Sequence, residues 1–184
     1  MRFNIIFLAI IFSLFFLNLL ANEKKLIINK LNETKSLEFN FLQEVNDKKE
    51  NGICVLEFPG NLKCNYSDDK KKELVISENK MVISQKRYDK SYFYPVSKSP
   101  FLKILYKDSL FEIINLGKID ISNETIKLTY INESKIIVLF DKNSLELRGW
   151  QIIDQYNNLV NFSIKIIGKN RVLNKNTFKL PSIN

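Results

Sequence analysis

From Leu37 onward the chain breaks into short apolar runs, each closed by turn residues, and this punctuation restricts its fold more than any other feature. Leu37, Phe39 and Phe41 alternate with Glu38 and Asn40, and Val45 resumes the same parity after Gln43, the pattern of a strand with one buried face. Further runs follow at 53–58, 62–66, 73–77 and 81–85, separated by Pro59-Gly60-Asn61, Ser67-Asp68-Asp69 and Glu78-Asn79-Lys80. Such sequential, turn-bounded runs predict an antiparallel meander. Residues 91–96 make another strand, with Tyr92, Phe93 and Tyr94 in series, and strands resume at 110–115, 125–131, 135–141, 145–154 and 159–167, with a last piece near 177–180. Two helices interrupt them. Residues 23–35 place Leu26, Ile27 and Leu31 on one side of a short helix, and Ser99-Pro100 opens a second over Phe101 to Tyr106, with Pro in the first turn, where it is best tolerated. No strand–helix alternation of a parallel α/β fold occurs. Roughly ten or eleven antiparallel strands with two helices predict a strongly curved sheet or unclosed β-barrel, whose concave face must bury the helices' stripes. The expected result is a mainly β domain in which short helices form a lid over an apolar cavity.

The 184 residues include no His and only two Cys, which removes imidazole-based catalysis and most zinc and haem sites. No G-x-x-x-x-G-K-[ST], G-x-G-x-x-G or G-x-S-x-G occurs. No catalytic residue, metal site or cofactor is therefore assigned. The formal charge of +8 raises nucleic acid or an anionic surface as a partner. However, Arg occurs only at Arg2, Arg87, Arg148 and Arg171, and the one basic run, Lys70-Lys71-Lys72, follows Asp68-Asp69 in a turn. A Lys-rich solvated surface is the plainer reading, because bidentate phosphate recognition favours Arg. No nucleic-acid partner is expected. Asn-x-Ser/Thr triplets at Asn32, Asn65, Asn123, Asn132 and Asn161 are what an Asn-rich chain produces by chance.

Arg2 precedes an apolar stretch from Phe3 to Ala21, and the chain then turns polar at Asn22-Glu23-Lys24-Lys25. That order is a secretory signal. Residues 1–21 are expected to be cleaved after Ala21, leaving a single domain over 22–184; an uncleaved anchor is the alternative, because the stretch approaches the ~20 residues of a bilayer span. No later segment is apolar enough to span, so the mature chain should be soluble in an exported, oxidising compartment. Cys54 and Cys64 are equidistant from Pro59. In a hairpin symmetric about that residue they lie opposite one another on one face, where a structural disulfide is geometrically reasonable; a redox pair is disfavoured by the absence of C-x-x-C spacing.

The order of these features resembles the periplasmic outer-membrane lipoprotein carrier family, the LolA type. Phe39-Asn40-Phe41-Leu42-Gln43 is similar to its F-x-x-F-x-Q strand, one residue tighter. Gly52 leads to Phe58-Pro59-Gly60-Asn61-Leu62-Lys63-Cys64-Asn65-Tyr66, similar to R-P-G-x-F-x-W-x-Y, and Ser77-Glu78-Asn79-Lys80 before Met81-Val82-Ile83 looks like S-D-G-K and the strand after it. Ser99-Pro100-Phe101-Leu102 with Ile104-Leu105 is similar to the lid helix. Trp150 to Asp154 with Asn157-Asn158 resembles the D-x-x-G turn, and Phe178-Lys179-Leu180-Pro181 the closing F-x-x-P. In two places the chain departs from the pattern. Phe58 replaces the Arg that helps to hold the lid closed, and Cys64 replaces the Trp.

The resemblance implies a monomeric periplasmic carrier that takes acylated lipoproteins from an inner-membrane ABC exporter and delivers them to an outer-membrane acceptor. Each buried CH₂ contributes about 0.8 kcal/mol, so a multiply acylated anchor crossing water must be shielded, yet held weakly enough to be handed on. Parity and motif position assign Phe39, Phe41, Leu62, Met81, Ile83, Trp150, Ile152, Phe162 and Ile164 to the cavity and Phe101, Leu102 and Leu105 to the lid. Two other functions fit the same residues. One is a lipid-sensing domain of the same fold; the other is an exported hydrolase using carboxylates such as Glu57 or Asp154.

Overall fold

A computed structural model describes residues 22–95, 100–154 and 157–181; the proposed signal segment, and Ser99 of the Ser-Pro step, lie outside them. Helix α1 occupies 22–32 and is followed by β1 (Ser36–Val45), β2 (Lys48–Glu57), β3 (Asn61–Tyr66), β4 (Lys72–Ser77), β5 (Lys80–Gln85) and β6 (Lys90–Pro95). Two short helices, α2 (Leu102–Leu105) and α3 (Lys107–Leu116), lead to β7 (Lys118–Ile121), β8 (Thr125–Ile131), β9 (Lys135–Asp141), β10 (Leu147–Ile153) and β11 (Leu159–Lys169). All eleven strands form one sheet in the order β6-β5-β4-β3-β2-β1-β11-β10-β9-β8-β7. Every pairing is antiparallel. The sheet is two meanders joined by β1 and β11; its outermost strands are β6 and β7, and α2 and α3 connect one to the other.

The meander read from the turns is present with boundaries one to five residues longer at some ends. Two assignments need correction. Residues 110–115, expected as a strand, belong to α3: Leu110, Ile113 and Ile114 are its buried residues, a three-and-four spacing that puts them on one helical face. Residues 177–180 form no strand but a turn and irregular chain. In α1 the buried stripe is Ile27 and Leu31, while Leu26 is 40% exposed.

The helices hold one another reciprocally. Lys24 of α1 donates from Nζ to the carbonyls of Asn115 and Gly117 at the C-terminal end of α3, both at 2.9 Å. Lys107 at the start of α3 donates to the Asn32 carbonyl at the end of α1, 3.1 Å. Each cation thus meets the unsatisfied carbonyls and negative dipole end of the opposing helix. Burial holds both ammonium groups below their ordinary pKa, with Lys35 adding to the effect at Lys107.

The core lies between these helices and the concave face. Three cross-strand rows show how it is built. Trp150, Val138 and Leu128 are successive partners on β10, β9 and β8, and all are buried; so are Ile152, Ile136 and Tyr130, and Leu147, Phe140 and Ile126. Tyr130 also donates its hydroxyl to Glu112 of α3.

Candidate functional site: a half-open apolar cavity

The helices leave part of the concave face uncovered. On the β1–β6 side, Leu37, Leu56, Leu62 and Ile76 form a buried row that ends in the partly exposed Met81 and Tyr94. The parallel row of Phe39, Cys54 and Cys64 is buried, but it continues through half-buried Leu74 and Ile83 to Tyr92, which is 44% exposed. A cavity of about 250 Å³ occupies this opening.

Its wall brings together Leu62, Met81, Ile83, Trp150, Ile152 and Phe162 from the sheet and Phe101 from the segment before α2, all of them assigned to cavity or lid from sequence. Phe39, Phe41 and Ile164 stand elsewhere. Phe39 is fully buried between Cys54 and Ile166, its neighbours across the strands, Phe41 backs the wall, and Ile164 packs against the core. In α2, Leu105 is fully buried and Leu102 is half-buried. The sheet residues among them share the inward parity of their strands. What differs is how far the helices and neighbouring rings reach over each one.

A ladder of rings braces the wall. Trp150 stacks on its cross-strand partner Phe162 at 4.4 Å and 8°, and Phe162 stacks on Phe41 at 4.9 Å and 13°. Phe41 meets the Tyr66 ring edge-on at 5.0 Å, and Phe101 rests on Trp150 at 5.7 Å. Gly52 explains the contact between Phe41 and Tyr66. It lies between those two residues in the strand register, and a Cβ there would stand 2.8 Å from the Phe41 ring and 2.1 Å from the Asn65 carbonyl oxygen. Aromatic pairs of this geometry are worth about 0.5–1.5 kcal/mol beyond area burial. The Trp150 indole N–H is buried without an acceptor among the described residues, so packing fixes this ring.

Gln43, Glu50, Tyr66 and Lys72 form the polar end of the cavity. Lys72 pairs with Glu50 and lies 3.7 Å from the centre of the Tyr66 ring. Tyr66 donates its hydroxyl to Gln43 Oε1 at 3.0 Å. Burial, helped by Glu50 and Asp68, pushes the phenol well above its ordinary pKa, so it remains a neutral donor. Sequence reasoning does not assign these four, although a signal is available: each has the inward parity of its strand but is polar.

The lid segment is anchored at the opposite end of the sheet. Gly60 donates its N–H to the Leu105 carbonyl at 2.8 Å, and Tyr106 donates its hydroxyl to Asn79 Oδ1 at 2.6 Å. Gly60 has φ +79°, and a Cβ there would lie 2.5 Å from the Tyr106 hydroxyl. Phe58, in the position of the family's Arg, packs under the Lys107 ammonium at 5.5 Å. Beneath this turn Cys54 and Cys64 are direct cross-strand partners and form a disulfide, Cα–Cα 4.0 Å.

The outer membrane lipoprotein carrier protein LolA model matches residues 32–181. The chain belongs to that family. No curated protein matches the sequence. Among solved structures, an uncharacterized conserved protein from Thermus thermophilus is 8% identical, with 88% of this chain and 94% of that one covered and a TM-score of 0.53. MucB is 9% identical at the same TM-score over 88% of this chain, which spans only 63% of the MucB chain. A LolA superfamily protein, NE2245 from Nitrosomonas europaea, is 8% identical over 85% of this chain and 97% of that one, with a TM-score of 0.42. At these identities the likeness is one of fold. LolA family proteins are extracytoplasmic carriers and binders, generally non-enzymatic, and the disulfide agrees with an oxidising compartment.

Proposed function

We propose that the protein is a periplasmic carrier that shelters the acyl chains of lipoproteins on their way from an inner-membrane ABC exporter to an outer-membrane acceptor. Residues 1–21 serve as its cleaved export signal, 22–184 form the single carrier domain, and it acts as a monomer without catalysis or cofactor. The observation that carries this reading is the half-open cavity. Aliphatic and aromatic side chains line it on one side of a fold whose other side is filled, and Phe101 of the lid segment closes over Trp150. At about 250 Å³ it lies just below the ~300–1,000 Å³ typical of small-molecule pockets. A multiply acylated anchor therefore requires α2 and the segment before it to swing away. Polar contacts tie this segment to Gly60 and Asn79, and Ile104 and Leu105 are fully buried, so the movement must draw these two side chains out of the core.

The test is to isolate the protein from cells with a photo-crosslinking residue at Phe101 and identify its adducts by mass spectrometry. Acylated lipoproteins are the expected adducts. Free phospholipid alone favours a lipid-sensing role, and the absence of any adduct removes the carrier reading.

A further inference from the structure

The polar end of the cavity has a charge balance that bears on which acyl compounds it accepts. Lys72 is only 17% exposed, and its ammonium is neutralised by Glu50. Asp68 stands close as well, accepting the Lys72 backbone N–H at 2.8 Å. In the same row Lys90 lies two strands away and is exposed, where solvent and salt screen it. The end of the cavity therefore offers hydrogen-bond donors without net positive charge. An ammonium has three N–H groups; one is committed to Glu50 and one is taken by the Tyr66 ring at 3.7 Å, which leaves one to donate. Gln43 uses its Oε1 to accept from Tyr66, which leaves its NH₂ free to donate.

An uncharged carbonyl can take these donors without disturbing the Lys72–Glu50 pair. An incoming carboxylate or phosphate must instead share one ammonium with Glu50 at close range, a like-charge contact in a partly dry site. We propose that the cavity selects acyl chains joined through a neutral ester or amide, whose carbonyl is received by Lys72 and Gln43, and discriminates against chains ending in a free carboxylate or phosphate. This rests on the acyl-cavity reading above and names its ligand class.

Trp150, the only tryptophan, stands on the cavity wall and gives the readout. Purified mature protein is titrated at about pH 8, where a fatty acid is ionised, with dibrominated stearoyl monoglyceride and with dibrominated stearic acid, and quenching of Trp150 is followed. The monoglyceride is expected to bind roughly tenfold more tightly, the scale of one charge-assisted hydrogen bond. Glu50→Gln should raise affinity for the acid and close most of that gap, and Lys72→Met should weaken the monoglyceride several-fold. Equal or tighter binding of the acid to the wild type, or a ratio unmoved by Glu50→Gln, overturns the selectivity and leaves the acyl cavity standing. Quenching by neither compound overturns both.

Discussion

The two halves of the sheet are built from the same alternation, yet one is filled and the other open. On β8 and β9 the inward residues Ile126, Leu128, Tyr130, Ile136, Val138 and Phe140 are none more than 5% exposed, where α3 lies on β8 and α1 is tied to α3 by Lys24 and Lys107. On β4, β5 and β6 the inward Leu74, Met81 and Ile83 are apolar too but only half-buried, bordering the cavity, and Tyr92 is exposed. Apolar character in this fold therefore specifies which face is concealed from water; the helices determine whether it is concealed by protein or left for a ligand.

Truncations test this contrast most directly. Phe140→Ala, in the filled half, should cost about 3–5 kcal/mol in denaturant unfolding, whereas Ile83→Ala should cost about 1 kcal/mol or less, because little packing is lost where the side chain already borders open space. Equal losses at the two positions would dissolve the distinction. The lid anchor comes next. Gly60→Ala imposes a side chain on a left-handed residue against Tyr106, for about 1–3 kcal/mol, and amide exchange should quicken across α2 and the start of α3 while β8–β10 stay protected.

A smaller effect is expected on the outer face of the open half, where Glu73 is buried between Lys86 at 2.7 Å and Lys63 at 3.2 Å. Burial alone would raise its pKa, but the two ammonium groups outweigh this and hold the carboxyl below its ordinary value. A carboxylate depressed in the folded state stabilises fully above the unfolded pKa, and that contribution is lost as pH falls through the folded one. Glu73→Gln should therefore lower the melting temperature at neutral pH, and the difference from wild type should shrink below about pH 4. The smallest effect concerns the latch. Phe58→Leu removes the ring under Lys107 and should cost about 0.5–1 kcal/mol; Phe58→Arg, which restores the family's residue, should be worse than Phe58→Leu because it faces Lys107 and Lys35. A gain in stability from Phe58→Arg would show that the lysines give way.

Strand parity and turn residues make most of the sheet legible, and the symmetry of Cys54 and Cys64 about Pro59 matches their pairing in the register. Leu110-Phe111-Glu112-Ile113-Ile114 reads as a strand because so short an apolar run fits either period; only packing on β8 decides it. The short β7 leaves no signal strong enough to read. At the cavity, inward parity finds Leu62, Met81 and Ile83 but does not distinguish them from Phe39 or Ile164, since burial by a distant helix or ring is not written in a residue's neighbours. The polar end escapes for a different reason. Gln43, Glu50, Tyr66 and Lys72 come from four strands, and only the folded sheet brings their inward polar side chains to one end of the cavity.

The junction of β1 with β11 has a bearing on how the chain comes to be folded at all. Leu37 and Lys169 are partners in the register, so the middle of the sheet is the pairing with the greatest separation along the chain, and contacts of this kind close late. As the polypeptide emerges from its N-terminus, β1 to β6 can pair locally, but the β1 edge stays bare until β11 arrives. That bare edge, with Phe39 and Phe41 beside it, is where a nascent molecule is most open to pairing with the wrong chain.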